Sequence, residues 1–303
     1  MTAQRLTTRF LEIDGGRIAY DDTADLTAAE ATDADGSAVD LGGDPAAADQ
    51  PATRRPVVIC TPGLGDHRAS FRHLRPLLAE AGYRVVTMDL RGQGESTVGW
   101  SDYSTPAIAA DIVALARHLD AGPVVLLSNS YTGGPSFLAA AEAPELFAAL
   151  VLTSPFARLQ PPMSAPVRVA MVAMGRVPAA WIGYWSTLFK TRKPADFAEA
   201  RKALAANLRE PGRMAALRGM LASDQAPGES AAPQVGCPVL VVMGSSDPDF
   251  KDPAAEGALV AGLVRNGRVH MVEGSGHYPH TEFPRETADA VIPFMKDAFA
   301  AAA

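Results

Sequence analysis

From residue 57 onward, short apolar runs recur along the chain, and longer segments with helical periodicity separate them. Apolar runs without polar alternation are typical of strands buried on both faces, which occur in parallel sheets. These runs are Val57–Cys60, Arg84–Met88, Val124–Leu127, Leu150–Thr153, Val239–Met243 and Val269–Val272. Because strands and helices alternate, the pattern predicts an α/β fold with a doubly wound, mostly parallel sheet.

The segments between these runs have the apolar spacing of amphipathic helices. They are Phe71–Ala81, Pro106–Leu119, Thr132–Ala143, Pro253–Asn266 and the tail Arg285–Ala300. Thr105 suits the N-cap of the second helix, with Pro106 at its first position. Ahead of the first run, Phe10–Ile13 and Arg17–Tyr20 predict a β-hairpin across a turn that contains Gly15, since glycine accepts positive φ.

The alternation of strands and helices stops between Pro155 and Pro233, where apolar helical stretches follow one another. Residues 155–235 are therefore predicted to form an all-helical cap. It is inserted into a core made of residues 1–154 and 236–303. In open α/β folds, ligands bind at the carboxyl edge of the sheet, and the cap is expected to cover this edge.

Most of the net negative charge comes from one segment. Residues 21–55 hold nine acidic and two basic residues, and their balance of −7 equals the net charge of the whole chain. With few apolar residues to bury, this segment is predicted to be a flexible insertion. The remaining chain is neutral overall, so its charge pattern does not indicate a nucleic-acid partner.

The sequence also limits where the protein is expected to work. It contains no uncharged run of 18 apolar residues, so we expect no membrane-spanning helix. Residues 1–10 lack the apolar centre of a secretory signal. Cys60 and Cys237 form neither a disulfide framework nor a metal motif. We therefore expect a reduced, cytoplasmic protein without a metal site.

Ser130 follows the predicted strand Val124–Leu127 and precedes a predicted helix. A strand-to-helix turn that exposes its central residue needs small side chains two positions away on either side, and Ser128 and Thr132 occupy these positions. Free N–H groups at a helix start favour developing negative charge, which suits a nucleophile. A serine here equally suits a helix cap, and the local sequence leaves both interpretations open.

Asp247 and His277 each lie in a loop directly after a predicted strand. The carboxyl ends of parallel strands meet at one edge of the sheet, so both side chains are expected close to Ser130. Asp249, two residues further on, is an alternative carboxylate. The chain order of serine, aspartate and histidine is the arrangement of nucleophile, acid and base found on such sheets.

Five segments, three of which contain these residues, resemble motifs of the α/β-hydrolase fold superfamily, in its helical-cap subgroup. The resemblance spans nearly the whole chain and rests on Cys60–Asp66 as an oxyanion loop, Asp89–Ser96 as an Asp-x-Arg-Gly-x-Gly-x-Ser turn, Ser128–Gly134 as a nucleophile elbow, Gly244–Asp247 as the acid loop and Gly274–His277 as the histidine loop. Ser128 and Thr132 replace the usual elbow glycines, and Pro62 replaces the usual histidine of the oxyanion loop.

The resemblance implies a mechanism for these residues. Ser130 would be the nucleophile, His277 its base and Asp247 the acid that orients the histidine. The backbone N–H groups of Leu64 and Tyr131 would form the oxyanion hole, and no cofactor or metal would be needed.

The predicted cap bears on the class of substrate. Trp181, Trp185, Met171 and Met174 are expected to line a roomy apolar pocket, although most cap aromatics will pack the cap's own core. Residues 155–235 also hold eleven basic against five acidic residues. A solvated helix surface explains this excess, and docking of an acidic carrier protein is the alternative.

The resemblance implies a serine hydrolase that cleaves an ester, lactone or thioester with an apolar acyl part through an acyl-enzyme. A carrier-protein thioesterase or a carbon–carbon bond hydrolase of the same fold is an alternative reading. A small-molecule binder that kept the fold without catalysis is another, and a complete Ser130, Asp247 and His277 set argues against it.

Overall fold

The structure is a computed structural model that describes residues 6–25, 55–160 and 164–302 of the 303-residue chain. Its centre is an eight-stranded sheet in the order β1-β2-β4-β3-β5-β6-β7-β8. The strands are Arg9–Ile13 (β1), Gly16–Asp22 (β2), Val57–Thr61 (β3), Arg84–Met88 (β4), Val124–Asn129 (β5), Phe147–Thr153 (β6), Val239–Gly244 (β7) and Gly267–Val272 (β8). From β4 to β8 all pairings are parallel, while β1 and β2 pair antiparallel at one edge. The predicted fold class is confirmed.

Helices cover both faces of this sheet. The helices of the core are Leu74–Glu80 (α1), Thr105–Leu119 (α2) and Gly133–Glu142 (α3) before the cap, and Pro253–Gly262 (α9), Pro279–Glu282 (α10) and Pro284–Ala302 (α11) after it. One apolar core joins the sheet to α2, α3 and α9, and a second joins the other face to α1 and α11. Strands β3 to β7 are buried along their whole length, which explains why their sequences lack polar alternation.

The beginnings of two helices differ from the prediction. Residues 68–71 form a separate 3₁₀ turn, and α1 begins only at Leu74. Pro76 then lies in the first turn of α1, where its missing N–H is tolerated. Helix α2 is capped by Ser104, whose side chain accepts from Ala107 N, and not by Thr105 as predicted.

The prediction that the acidic insertion begins at residue 21 is wrong. Asp21 and Asp22 belong to β2, where they pair with β4, and residues 23–25 form a 3₁₀ turn. Asp22 is fully buried and accepts two hydrogen bonds from Arg84, at 3.0 and 2.7 Å. A carboxylate can be buried where a guanidinium group binds it. The sequence does not reveal this ion pair, because Asp22 stands at the start of a run of acidic residues. Residues 26–54, the rest of the predicted insertion, lie outside the described residues.

Between β6 and β7, every regular element of the described residues is helical. These helices are Ala165–Met174 (α4), Pro178–Thr187 (α5), Phe197–Leu208 (α6), Arg213–Leu221 (α7) and Ala226–Ala231 (α8). An apolar cluster of its own, which includes Trp181, Trp185, Phe189 and Leu204, holds α5, α6 and α7 together. Near the predicted end of the cap at residue 235, Ala232 and Val235 pack in the main core of the sheet.

Candidate active site

Ser130 occupies a strained position between β5 and α3. Its φ angle is +56°, in the left-handed region that residues other than glycine seldom adopt. Residues 130–132 form a 3₁₀ turn that joins the strand to the helix. Strain of this kind persists only where the surrounding structure enforces it, and it is typical of a serine presented at a nucleophile elbow.

The loop after β3 approaches this elbow closely. A Cβ placed on Gly63 would lie 3.0 Å from the Cβ of Ser130 and 3.0 Å from Asn129 Oδ1, so a larger residue would displace the serine. The β-branched Thr132 is accommodated because its hydroxyl donates to Asn129 O at 2.8 Å. Glycine is therefore not required at position 132, and the departure from the usual motif does not disrupt the turn.

His277 and Asp247 are joined by a hydrogen bond. His277 Nδ1 lies 2.8 Å from Asp247 Oδ2, and both side chains are buried. Burial by itself lowers the pKa of His277, but the charges of Asp247 and Asp249 outweigh it and raise this pKa to about 9. An imidazole oriented through Nδ1 leaves Nε2 for proton transfer, as a general base requires.

The loop after β6 connects the serine to the histidine. Phe156 N donates to Ser130 O at 2.9 Å, and the Phe156 ring centroid lies 5.9 Å from that of His277. Among the described residues, the structure has no hydrogen bond between Ser130 Oγ and His277. Catalytic hydrogen bonds are often long or poorly aligned in the absence of substrate, so the lack of this bond does not argue against a triad.

Asn129 contributes a contact that the sequence did not reveal. Its side-chain amide donates to Thr153 O at 3.1 Å, to Thr153 Oγ1 at 3.2 Å and to His277 O at 3.3 Å. One buried amide thus ties the residue before Ser130 to the neighbouring strand and to the histidine loop. Nothing in the local sequence pattern distinguishes this asparagine from an ordinary strand-end residue.

Two cap tryptophans hold the predicted oxyanion loop. Trp181 Nε1 donates to Gly65 O at 3.2 Å, and Trp185 Nε1 donates to Asp66 Oδ2 at 3.1 Å. Leu64 lies between Gly63 and Gly65 in this loop, and its side chain packs against both the main core and the cap cluster. Tyr131, which follows Ser130, is buried. Both predicted oxyanion-hole residues therefore lie beside the elbow, and their role stays a prediction.

The predicted substrate-binding residues have different environments. Trp181 and Trp185 are only 3% and 4% exposed and are used in packing and in the hydrogen bonds to the loop. Met174 packs against the cap cluster, and Met171 is half-buried on α4. Their contact with a substrate stays a prediction.

Two phenylalanines outside the predicted set lie beside the histidine. The Phe156 and Phe250 ring centroids are 4.8 Å apart, and that of Phe250 lies 6.3 Å from His277. Phe250 follows Asp247 by three residues, so the acid loop brings both side chains to the site. These rings give the region around His277 an apolar wall.

Asp247, Asp249 and His277 also form a group whose potential metal-ligand atoms lie within 4.8 Å of one another, in the part of the chain that the structure describes. His277 Nδ1 is already engaged by Asp247. Hydrogen bonding between these side chains accounts for their proximity, and the expectation that the protein uses no metal stays a prediction.

The sequence matches the family described as the alpha/beta hydrolase fold over residues 56–284. The chain belongs to this family, as its motifs predicted. It is 22% identical to a monoglyceride lipase of Rattus norvegicus over 250 residues, which cover 78% of this chain and 79% of the lipase.

Two solved structures share the fold. A thermophilic esterase from Thermogutta terrifontis superposes with a TM-score of 0.71 at 21% identity, covering 97% of this chain and 99% of the esterase. A bromoperoxidase from Bacillus anthracis superposes with a TM-score of 0.75 at 18% identity, covering 96% and 100%. The fold is therefore shared by proteins that are named for different reactions. The reaction of this chain has to be argued from its own site.

In the part of the chain that the structure describes, no helix is both long enough and apolar enough to cross a bilayer.

Proposed function

We propose that the protein is a serine hydrolase that cleaves an ester, lactone or thioester with an apolar acyl part. The observation that carries this proposal is the strained Ser130 beside a buried Asp247–His277 hydrogen bond of 2.8 Å. A binding protein has no use for a serine in left-handed backbone together with an oriented, buried imidazole. The named relatives include an esterase and a lipase, and this supports ester bonds over other substrates.

The proposed reaction proceeds in two halves. His277 Nε2 takes the proton of Ser130 while Oγ attacks the substrate carbonyl, and a tetrahedral intermediate forms. The N–H groups of Leu64 and Tyr131 donate to its oxyanion. The imidazolium then gives its proton to the leaving alcohol or thiol, and an acyl-enzyme on Ser130 remains. Water, deprotonated by His277, attacks the acyl carbonyl and forms a second tetrahedral intermediate. Its bond to Ser130 Oγ then breaks, the imidazolium returns the proton to Oγ, and the acid leaves the free enzyme.

The apolar surroundings of the triad support an apolar acyl group. Phe156 and Phe250 lie beside His277, and the cap aromatics Trp181 and Tyr184 lie over the oxyanion and acid loops. Burial of an acyl chain against such rings releases water from both surfaces, at roughly 25 cal/mol per Å² of apolar area. We therefore propose a small apolar ester as substrate, and the carrier-protein alternative gains no support from the relatives.

Labelling with a fluorophosphonate tests the proposal. The wild-type chain should form a covalent adduct on Ser130, which peptide mass spectrometry locates, and Ser130→Ala should neither label nor turn over p-nitrophenyl esters of two to twelve carbons. Ser136→Ala is the matched control, because Ser136 is a buried serine in the same segment and its hydroxyl bonds to Thr132 O. A Ser130→Ala variant that keeps most of the wild-type activity would overturn the assignment of Ser130 as the nucleophile.

A further inference from the structure

A second carboxylate faces the catalytic histidine. Asp249 Oδ2 lies 3.7 Å from His277 Nδ1, compared with 2.8 Å for Asp247 Oδ2. Asp249 N donates to Asp247 Oδ1 at 3.0 Å, so the same short loop holds both groups, and the Asp249 side chain is largely buried. With a small rotation Asp249 could replace Asp247 as the hydrogen-bond partner of Nδ1.

A cap residue holds Asp249 away from this position. The Tyr184 hydroxyl on α5 donates toward Asp249, at 2.9 Å from Oδ1 and 2.8 Å from Oδ2. Burial and the nearby charge of Asp249 raise the pKa of Tyr184 well above its ordinary value, so the phenol remains a donor. The cap therefore supplies the hydrogen bond that satisfies the second carboxylate.

Other titratable groups around His277 come from the core. Glu282 on α10 is buried, and its carboxylate accepts from the backbone N–H groups of Lys190 and Tyr278. Burial raises the pKa of Glu282 to about 7. Burial also lowers the pKa of His280 to about 3, so this second histidine stays neutral. The Tyr278 ring lies edge-on to His277, and burial raises the pKa of its phenol, which stays protonated.

We propose that Tyr184 and Asp249 are positioning residues that couple the cap to the triad. This inference rests on the proposed function of Ser130, Asp247 and His277. With α5 docked, Tyr184 restrains Asp249 and leaves His277 bonded to Asp247. When α5 moves away, Asp249 is free to close the 3.7 Å gap to Nδ1, the imidazolium is stabilised further, and the pKa of His277 rises. The docking of the cap thereby limits how far the pKa of His277 is raised.

The two substitutions that test this coupling are expected to act in opposite directions. Asp249→Asn removes a negative charge that favours imidazolium, so the pKa of His277 should fall by about one unit. Tyr184→Phe removes the restraint but keeps the charge, so this pKa should rise by about half a unit. In the double variant the tyrosine change should have no effect, because its target is absent.

The measurement is the pH dependence of the second-order rate constant for fluorophosphonate labelling. It reports the protonation of His277 in the free enzyme and needs no knowledge of the natural substrate. In the wild type the labelling rate should rise with pH to a plateau, and its midpoint should shift down in Asp249→Asn and up in Tyr184→Phe. At pH 7 the asparagine variant should then label faster than the wild type, although Tyr184 has lost one of its two acceptor oxygens.

Ser186→Ala is the control on the same helix. Its hydroxyl donates to Ile182 O and has no contact with the acid loop, so removing it should leave the midpoint unchanged. Equal midpoints in the wild type and Asp249→Asn, a downward shift in Tyr184→Phe, or an additive effect in the double variant would each overturn the coupling.

Imidazole NMR separates failure of this inference from failure of the proposed function. Long-range proton–nitrogen spectra titrate His277 directly, whether or not Ser130 reacts. If labelling fails at Ser130, the proposed function is wrong, and the same midpoint shifts in the spectra still decide the coupling. If labelling succeeds and the His277 titration is the same in all variants, only the coupling is wrong.

Discussion

At the scale of single residues, the site depends on positions that violate ordinary preferences. Ser130 adopts a left-handed backbone conformation, and two carboxylates lie within 4 Å of one imidazole nitrogen. Each arrangement costs free energy that packing elsewhere has to offset. Sites built in this way are sensitive to changes that alter a charge without altering shape.

Asp247→Asn is the first such change. The amide fills the same space but favours the wrong imidazole tautomer, so we expect kcat to fall by about 10⁴-fold on a short ester. Asp249→Asn should lower the plateau value of kcat at high pH by less than about tenfold. Steady-state kinetics of both variants are compared at a pH above the midpoint of each variant's pH profile. If Asp249→Asn lowered kcat more than Asp247→Asn, the acid role would belong to Asp249.

The pH dependence of the wild type follows from the charge on His277. Because its pKa is raised to about 9, most of the histidine is protonated at neutral pH and unable to accept the serine proton. We expect kcat/KM for a neutral ester to rise tenfold per pH unit below this value and to level off above it. A profile already flat between pH 6 and 9 would show that the histidine is less basic in solution.

At the scale of elements, the cap is attached to the core through a close helix contact. A Cβ on Gly228 of α8 would overlap the backbone of Gly134 in α3, directly after the elbow turn. Only two glycines allow the helices to approach this closely. The contact explains why Ala232 and Val235, which follow α8, pack in the main core of the sheet.

Gly228→Ala should therefore destabilise the fold. Overpacking against a rigid backbone typically costs about 1–3 kcal/mol, and urea unfolding would measure the loss. Gly183→Ala on α5 is the matched control, since a Cβ there meets nothing within 4 Å. Removing a glycine from a helix should stabilise this control by up to about 1 kcal/mol. Equal stabilities for the two variants would show that the helices separate easily.

At the scale of the whole molecule, the acidic segment and the folded sheet meet at residue 25. Asp22 pairs with the buried Arg84, and Thr23 Oγ1 accepts from Val85 N at 2.8 Å. Residues 26–50 contain almost no large apolar side chains, so they have little to contribute to a core. Residue 25 is therefore the predicted boundary between residues that stabilise the sheet and residues whose composition gives them little to bury.

Replacing residues 26–50 with a Gly/Ser linker should change the melting temperature by no more than a few degrees and leave kcat on a short ester nearly unchanged. Extending the replacement to residues 22–50 should cost about 3–5 kcal/mol of unfolding free energy, since Arg84 is left buried without a partner. Calorimetry of the two variants measures the melting temperature and the free energy of unfolding. A strong loss of stability in the shorter replacement would show that the acidic segment packs on the fold.

The sequence was sufficient to predict the sheet, the order of its strands along the chain and the three residues proposed as the triad. These predictions rest on local features, because a strand buried on both faces has to be apolar throughout. A reactive side chain in a parallel sheet also has to follow a strand end. Ser130, Asp247 and His277 each follow a strand end, and the family motifs around them distinguish them from other residues at such positions.

The contacts that adjust the site were decided only by the tertiary structure. Tyr184 meets Asp249 across 65 residues, Trp181 meets Gly65 across 116, and Asn129 reaches His277 across 148. In sequence each is an ordinary residue of a helix or a strand, because its partner lies in a distant segment. Only the packing of the cap on the carboxyl edge of the sheet brings these partners together. That packing depends on the shapes of many side chains at once and leaves no local pattern in the chain.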